Sequence, residues 1–320
     1  MLKSVKCFDF NINSTPQDRW KNIFEQFSKS EKENITQFVL ELLQQYQSYT
    51  NVYQFIDGYI KCVSCYSKEI EFIAKELNLS FLQALFVQLI YEFNSACTVS
   101  IMNINGDNFY FRTMDWEMEF LKNITIKLNI IKDDKIIGTA VTWLGYVGFL
   151  TCQVNNDYKI AINYRRTKIV NFVSIMGNFT KITSGYWPIG YVVRDVLEKQ
   201  LKYNEAVEVL QNINLISPCY ITIYSYNDKS VIITRNSTNV EYIRFDNLVQ
   251  TNCDYNESEP NILYSCERRE LVKKLESEFN SNNITNYDDI IKKLLVFQIL
   301  NRSTIYVDTE YKGEPRTFIY

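Results

Sequence analysis

The sequence predicts an α+β fold in which antiparallel sheets are covered by helices. Three observations carry this expectation. Apolar residues recur at helical spacing through most of the first 93 residues and switch to strict alternation from residue 98 onward. Turn signals such as Asn105-Gly106-Asp107, Lys132-Asp-Asp-Lys135 and Asn227-Asp228 then join the alternating runs in pairs, as hairpins do. The resulting order is helices, strands, helices, strands, helices, strands, which does not fit a parallel doubly wound sheet. With 320 residues, 46% of them hydrophobic, the chain can bury a large core, and 9 Gly with 5 Pro leave no long linker. The expected organisation is one compact unit with a helical segment, residues 1–96, followed by a strand-rich segment, residues 97–320.

The elements follow in order. After an extended start at Cys7 to Ile12, Ser14-Thr15-Pro16-Gln17-Asp18 opens a helix with a hydroxyl cap and an early proline, and Trp20, Ile23, Phe24 and Phe27 continue at helical spacing. Helices are expected over Ile35 to Gln47, over Val52 to Leu77 with a break near Cys65, and over Ser80 to Phe93. The last is apolar on most of its circumference and should be buried. Strands are expected over Thr98 to Ile104, Asn108 to Asp115, Asn123 to Ile130, Ile136 to Trp143 and Tyr158 to Asn163. Trp187 to Glu198, opened by Pro188, and Tyr203 to Asn212 read as helices. Cys219 to Tyr226 and Ser230 to Arg235 form a further hairpin, and Val240 to Thr251 continues the sheet. Arg268 to Phe279 and Tyr287 to Leu300 are helical, with C-terminal strands from Ser303 and Thr317.

Charge and composition exclude several functions. Lys plus Arg number 34 against 37 Asp plus Glu, and no basic cluster stands out, so the electrostatic footprint of a nucleic-acid binder is missing. There is no histidine, which excludes a Ser-His-Asp triad, a Cys-His pair, a His-ligated zinc and a His general base. The first ten residues lack a signal-peptide core and no run of about 18 apolar residues could span a bilayer, so the chain as written is expected to be cytoplasmic. Nine Asn-x-Ser/Thr sequons, at Asn13, Asn34, Asn78, Asn123, Asn178, Asn236, Asn256, Asn283 and Asn301, point instead to a secretory route. The eight cysteines are too sparse for a disulfide scaffold, and Cys62-x-x-Cys65, with no second pair and no His, reads as two helical cysteines.

Cys97 stands where the helical period ends and the strand period begins, and Arg112 and Asp115 follow one hairpin later. A thiol becomes a useful nucleophile only when a base takes its proton or its pKa falls. Without His the available bases are carboxylates, Lys or an α-amino group. The α-amine suits the task because its unperturbed pKa, about 7.7–8.0, lies near working pH. Cys97 could use its own amine only if the Ala96-Cys97 bond were cut. On their own, Arg112 and Asp115 fit an ordinary ion pair equally well.

Several ordered motifs now bear on the choice: Cys97-Thr98, Arg112-x-x-Asp115 followed by Trp116, Gly145-Tyr146-Val147-Gly148-x-Leu150-Thr151, Asn163-x-Arg165, Ile233-Thr234-Arg235-Asn236, Thr251-Asn252-x-Asp254 and Glu267-Arg268-Arg269. In order and approximate spacing they resemble the acid ceramidase and N-acylethanolamine acid amidase family. The likeness extends upstream to Arg19-Trp20 and downstream to Thr304-Ile305-Tyr306. Members of that family are N-terminal-nucleophile amidases with an αββα sandwich, made as precursors that cut themselves before the cysteine at acidic pH. The resemblance therefore implies self-cleavage between Ala96 and Cys97, with Cys97 as nucleophile and, through its amine, as base. It also implies that Asp115 orients the amine, that Arg112 lies beside the sulfur, and that Asn252 and the Tyr164 N–H donate to the oxyanion. Arg268 completes the polar cluster. Neither metal nor cofactor is implied.

The implied substrate is a lipid N-acyl amide of the ceramide or N-acylethanolamine type, with transient contact to a membrane surface or lipid and a lysosome-like compartment. Departures from the family pattern are Tyr164 in place of Glu, Thr113 in place of Asn, and Cys253 in place of Tyr. Tyr164 in particular bears on whether the cut occurs. An uncleaved lipid-binding relative and an amidase of the bile-salt or penicillin type are the alternatives. The family's inter-chain disulfide would need a cysteine near Leu275 to partner Cys7, so a monomer or a non-covalent heterodimer is expected. Gly145 to Gly148 reads as scaffold. Phe172 to Val193 fits core, the border of an acyl-chain pocket or a lipid-facing surface equally.

Overall fold

The helix signals of the N-terminal segment act locally, before any tertiary packing. In the computed structural model, which describes residues 3–45, 66–92, 95–165, 181, 184–257, 264–295 and 304–320, strands β1 (Lys3–Ser4) and β2 (Lys6–Asn11) precede α1 (Pro16–Phe24), α2 (Lys29–Gln45), α3 (Ser67–Glu76) and α4 (Phe81–Leu89). Thr15 caps α1 by accepting the Asp18 amide at 3.3 Å, and Pro16 sits in the first turn, where no N–H is needed. Ser80 and Gln83 cap α4 reciprocally, each side chain taking the other's amide, at 3.3 and 2.7 Å. A 3-10 turn, Ile90–Glu92, then leads out of the buried helix toward Cys97.

From Ala96 the alternation builds sheet. Strands β3 (Ala96–Ile104) and β4 (Asp107–Asp115) pair across Asn105 and Gly106, which adopt φ of 53° and 92° as a tight hairpin turn requires. A short helix α5 (Leu121–Ile124) leads to β5 (Thr125–Lys132), β6 (Lys135–Trp143), β7 (Thr151–Val154) and β8 (Tyr158–Tyr164). Helices α6 (Ile189–Glu198) and α7 (Tyr203–Asn212) come next, followed by β9 (Cys219–Ser225), β10 (Val231–Arg235), β11 (Val240–Arg244) and β12 (Val249–Gln250). Helices α8 (Ser265–Ser281) and α9 (Tyr287–Leu295) and strands β13 (Thr304–Tyr311) and β14 (Glu314–Ile319) complete the described chain.

Two sheets result, ordered β1-β14-β13-β4-β3-β12 and β11-β10-β9-β8-β7-β6-β5-β2. Because successive side chains point to opposite faces, both faces of each central strand need cover. Between the sheets, Val99 and Tyr110 meet Ala161 and Tyr224, with the two tyrosine rings stacked at 5.5 Å. On the far side of the first sheet, Met102, Ile104, Phe109, Phe111 and Val307 pack on Val272, Phe279, Ile290 and Leu294 of α8 and α9. On the far side of the second, Ile160, Ile162, Ile221 and Ile223 share the main core with Val192, Val196 and Leu197 of α6 and Leu210 of α7. The layers are helix, sheet, sheet, helix, the expected αββα sandwich. No single helix among the described residues is long and apolar enough to cross a membrane.

The N-terminal helices are joined to this sandwich by a buried charge cluster. Glu69 on α3 accepts Trp20 Nε1 at 2.6 Å, Arg19 Nη1 at 2.8 Å, and both terminal nitrogens of Arg194 on α6 at 2.6 and 2.8 Å. Burial alone would raise the Glu69 carboxyl, but Arg194 above all, with Trp20 and Arg19, holds it below its ordinary value.

The structure differs from expectation in four places. Strand β2 pairs with β5 in parallel, Lys6 opposite Ile126 through Asn11 opposite Ile131, because it arrives from far away in sequence with no hairpin to reverse it. Strand β7 has only four residues, too few for its alternation to stand out. Val240 to Thr251 is not one strand: β11 ends one sheet, and β12 joins the other beside β3. The last strand begins at Glu314, not Thr317. The expected helical stretch Val52 to Cys65, with Cys62 and Cys65, and the C-terminal end of the Tyr287 to Leu300 helix lie outside the described residues, as do sequons Asn178 and Asn301 and most of Phe172 to Thr183.

Candidate active site

The β3-β4 hairpin sets the first part of the site. Its register places Cys97 opposite Met114, Val99 opposite Arg112 and Ala96 opposite Asp115. Cys97 and Arg112 therefore project on the same, inter-sheet face. Cys97 is fully buried, and its Sγ lies 3.6 Å from Arg112 Nη2, 3.5 Å from Met114 Sδ and 3.8 Å from the Tyr91 hydroxyl. Arg112 is fixed from two sides, donating to Ile162 O at 2.9 Å and to the Tyr306 hydroxyl, which is itself 2.9 Å from Thr151 Oγ1. Tyr91 donates to the same Ile162 carbonyl at 2.6 Å.

The second part comes from the loop after β12 and the start of α8. Asn252 Oδ1 accepts the Cys97 amide N–H at 3.0 Å, the nitrogen of the Ala96-Cys97 peptide bond. Its Nδ2 donates to Tyr164 O at 2.8 Å and to Ser95 O at 3.2 Å. Arg268 bridges this loop to β3, donating to Asn252 Oδ1 at 2.8 Å, to Cys97 O at 2.8 Å and to Thr98 Oγ1 at 2.7 Å. Asp115 lies 3.7 Å from Arg268 and accepts hydroxyl bonds from Thr113 at 2.8 Å and Thr304 at 2.7 Å. Asn163 Nδ2 reaches Cys97 O at 3.3 Å.

The motifs around this centre turn out to hold one another. Arg165 binds Asp254 through Nε at 2.7 Å and Nη2 at 2.5 Å, and Tyr220 donates to the same carboxylate at 2.7 Å. That ion pair ties the Asn163-x-Arg165 strand end to the loop bearing Asn252. Arg235 works elsewhere, capping α7 by donating to Leu210 O and, at 2.7 Å, to Ile213 O. Gly145 to Gly148 is held by Gln88, which donates to Gly145 O at 2.7 Å and accepts Val147 N–H at 2.8 Å. A Cβ on Gly148 would stand 2.8 Å from the Tyr146 ring and 2.9 Å from the Gly190 backbone, so close packing requires glycine there.

Opposing influences act on the sulfur. Burial, foremost, with Asp115, raises the Cys97 thiol above its ordinary value, while Arg112, Tyr91 and Arg268 pull it down. Glu92, five residues earlier in the chain, accepts the Ile189 amide at 3.0 Å, and burial pushes its carboxyl up to about 7. Among the described residues no group of three His, Cys, Asp or Glu could hold a metal ion.

Cys97, Arg112, Asp115, Asn252 and Arg268 thus fall in one buried cluster, with Ala96 at its edge. Tyr164 enters through its carbonyl, which accepts from Asn252. Asn252 has both arms engaged, the acceptor on the Cys97 amide and the donor on two carbonyls, a different use from the oxyanion donor expected from sequence. Tyr91, Asn163, Tyr306 and Thr304 join the site without having been legible as site residues in the sequence. Each sits inside a motif already visible in the sequence, the aromatic run before Cys97, Asn163-x-Arg165 and Thr304-Ile305-Tyr306, yet only the fold shows what each touches.

The chain is similar to known amide hydrolases. The model for linear amide C–N hydrolases of the choloylglycine hydrolase family matches residues 97–254, beginning at Cys97 itself. Protein R632 of Acanthamoeba polyphaga mimivirus, which is uncharacterised, is 36% identical over 98% of both chains. The N-acylethanolamine-hydrolyzing acid amidase of Caenorhabditis elegans is 27% identical over 79% of this chain and 75% of its own. A solved structure of the Caenorhabditis elegans ortholog of that amidase superposes with a TM-score of 0.57 at 25% identity, covering 71% of this chain and 100% of the other. With its αββα sandwich, this chain belongs to the choloylglycine hydrolase family of linear amide C–N hydrolases and is an amidohydrolase.

Proposed function

We propose that the chain cuts itself between Ala96 and Cys97 and that the freed Cys97 then hydrolyses the amide bond of a lipid N-acyl amide to a fatty acid and an amine. The observation that carries this reading is the hold on the peptide nitrogen of Cys97. Asn252 Oδ1 accepts its N–H at 3.0 Å, while Arg112 stands 3.6 Å from the sulfur of the same residue. In the self-cleavage step Sγ attacks the Ala96 carbonyl carbon, the thiol proton passes to the Cys97 nitrogen, the C–N bond breaks, and that nitrogen leaves as the amine. Water then hydrolyses the thioester, leaving a carboxylate on Ala96.

In the mature protein the α-amine takes the thiol proton and Sγ attacks the substrate carbonyl. The substrate amine departs with that proton, and water releases the acyl group as the fatty acid. Asn252 and Asp115 orient the amine, Arg112 favours the thiolate, and Arg268 offsets the nearby negative charge. Complete burial of Cys97 in the intact chain is consistent with this order, because an acyl amide can reach the sulfur only after a rearrangement around it. The lipid-amide substrate class rests on the likeness to N-acylethanolamine-hydrolyzing acid amidase. Exposed sequons at Asn13, Asn34, Asn78, Asn123, Asn256 and Asn283 favour a secretory, acidic compartment.

The test is fatty-acid release from a panel of N-acylethanolamines, ceramides, and bile-salt and penicillin amides, after incubation at acidic pH. Wild type should hydrolyse at least one long-chain acyl amide and Cys97→Ala none. Turnover confined to the bile-salt or penicillin substrates would move the chain to that branch. No turnover of any substrate would favour a lipid-binding relative without catalysis.

A further inference from the structure

A second thiol site lies directly behind the residues that hold Cys97. Cys253 Sγ and Cys266 Sγ are 3.8 Å apart, and Arg269 spans the pair, Nη1 at 3.6 Å from the first and Nη2 at 3.9 Å from the second. Thr251 Oγ1 is also 3.8 Å from Cys253 Sγ. Cys253 is buried and Cys266 is partly exposed, so Cys266 is the member of the pair nearer to solvent. The flanking positions matter: Cys253 follows Asn252, and Cys266 precedes Arg268 by two residues on α8.

We propose that Cys253 and Cys266 form a reversible dithiol–disulfide modification site, oxidised by peroxide, whose state sets how Asn252 and Arg268 hold Cys97. The chemistry balances with hydrogen peroxide as the two-electron oxidant. The Cys266 thiolate attacks one peroxide oxygen, the O–O bond breaks, and a sulfenic acid and one water form. Cys253 then attacks the sulfenic sulfur, the S–S bond forms and the S–O bond breaks, releasing a second water. Two thiols and one peroxide thus give one disulfide and two waters, and a dithiol reductant reverses the oxidation. Burial, together with Cys253 beside it, pushes the Cys266 thiol up to about 11, while Arg269 opposes this, so oxidation should quicken as pH rises.

Closing the bond shortens the sulfur separation from 3.8 Å to about 2.05 Å. That movement is applied one residue from the Asn252 side chain that holds the Cys97 amide, and it binds this loop covalently to the helix carrying Arg268. The dithiol itself stands on geometry alone. Its effect on Cys97 rests on the proposed function.

The experiment uses full-length Cys97→Ala protein, so that residue 97 cannot react, treated with hydrogen peroxide and analysed by intact mass and peptide mapping. Expected is a loss of about two mass units, the two thiol hydrogens, a crosslink joining the peptides with Cys253 and Cys266, reversal by dithiothreitol, and no crosslink in Cys253→Ser or Cys266→Ser on that background. Oxygen adducts without that crosslink, or a crosslink between other cysteines, would overturn the site. In wild type, oxidised protein should then self-cleave about tenfold more slowly than reduced protein, the worth of one displaced hydrogen bond. Equal rates would refute the coupling while leaving the amidase reading intact. Absence of self-cleavage in both states would remove coupling and proposed function together, with the dithiol still decided by mass.

Discussion

Replacing Glu69 by Ala tests how the two segments stay together. Glu69 is 1% exposed and Arg194 is 0% exposed, and the carboxylate takes two bonds from Arg194 and one each from Arg19 and Trp20. Removing it leaves a guanidinium buried among the Phe10, Tyr66 and Phe149 rings with Glu198 as its remaining carboxylate. Breaking a buried pair by deleting one partner costs about 3–5 kcal/mol. At about 1.5 °C per kcal/mol, from an unfolding entropy of about 2.1 cal/mol/K for each of 320 residues, the melting temperature should fall by about 6 °C. The assay is thermal unfolding at pH 7 followed by circular dichroism, with Glu69→Gln expected in between because it keeps the shape and part of the bonding. Since the Glu69 carboxyl is held below its ordinary 4.5, its contribution is complete above that pH and is lost only as pH falls through the lower folded value. In cleaved protein the same substitution should release the 1–96 fragment on size exclusion. A change in melting temperature under about 2 °C, with the fragments still together, would refute the clamp.

Asn252→Ala removes the acceptor for the Cys97 amide and a partner of Arg268, and should slow self-cleavage about 30-fold, for a loss of about 2 kcal/mol, measured as the rate of fragment appearance. Arg112→Met removes the cation that lowers the Cys97 thiol pKa, so the pH at which the mature thiol is alkylated should rise by about one unit and amide hydrolysis fall at least tenfold. Glu92→Gln should change how stability depends on pH. A carboxyl raised to about 7 contributes fully below its ordinary 4.5 and loses that contribution as pH climbs through 7. Wild type and variant should therefore melt together near pH 4.5, and wild type should be less stable at pH 8, by up to about 3 kcal/mol.

Local chemistry made much of the fold legible before the structure. The Ser80 cap, Pro16, Asn105-Gly106 and Pro188 mark boundaries because their backbone requirements are satisfied within a few residues. What sequence could not show depends on partners brought from afar. The parallel β2-β5 pairing has no connecting turn to announce it, and β12 reaches β3 after leaving the other sheet. The same division holds at the site. Cys97 and Arg112 lie on one hairpin, so their shared face follows from two-residue alternation, whereas Asp115, three positions after Arg112, falls on the other face and meets Arg268 of α8. By contrast, Arg165 supports Asn252 through Asp254 across 89 positions, and Tyr306 reaches Arg112 across 194. Glu92 reads as one more residue of a helical pattern until its burial against the Ile189 amide is seen.

The central claim is that Cys97 becomes a chain terminus. Intact mass and N-terminal sequencing of full-length protein held at acidic pH test it most directly. Wild type should give two fragments, residues 1–96 and 97–320, the larger beginning with Cys97, and Cys97→Ala a single uncut chain. A wild-type chain that stays whole across the acidic range, or a cut at any other bond, would contradict it.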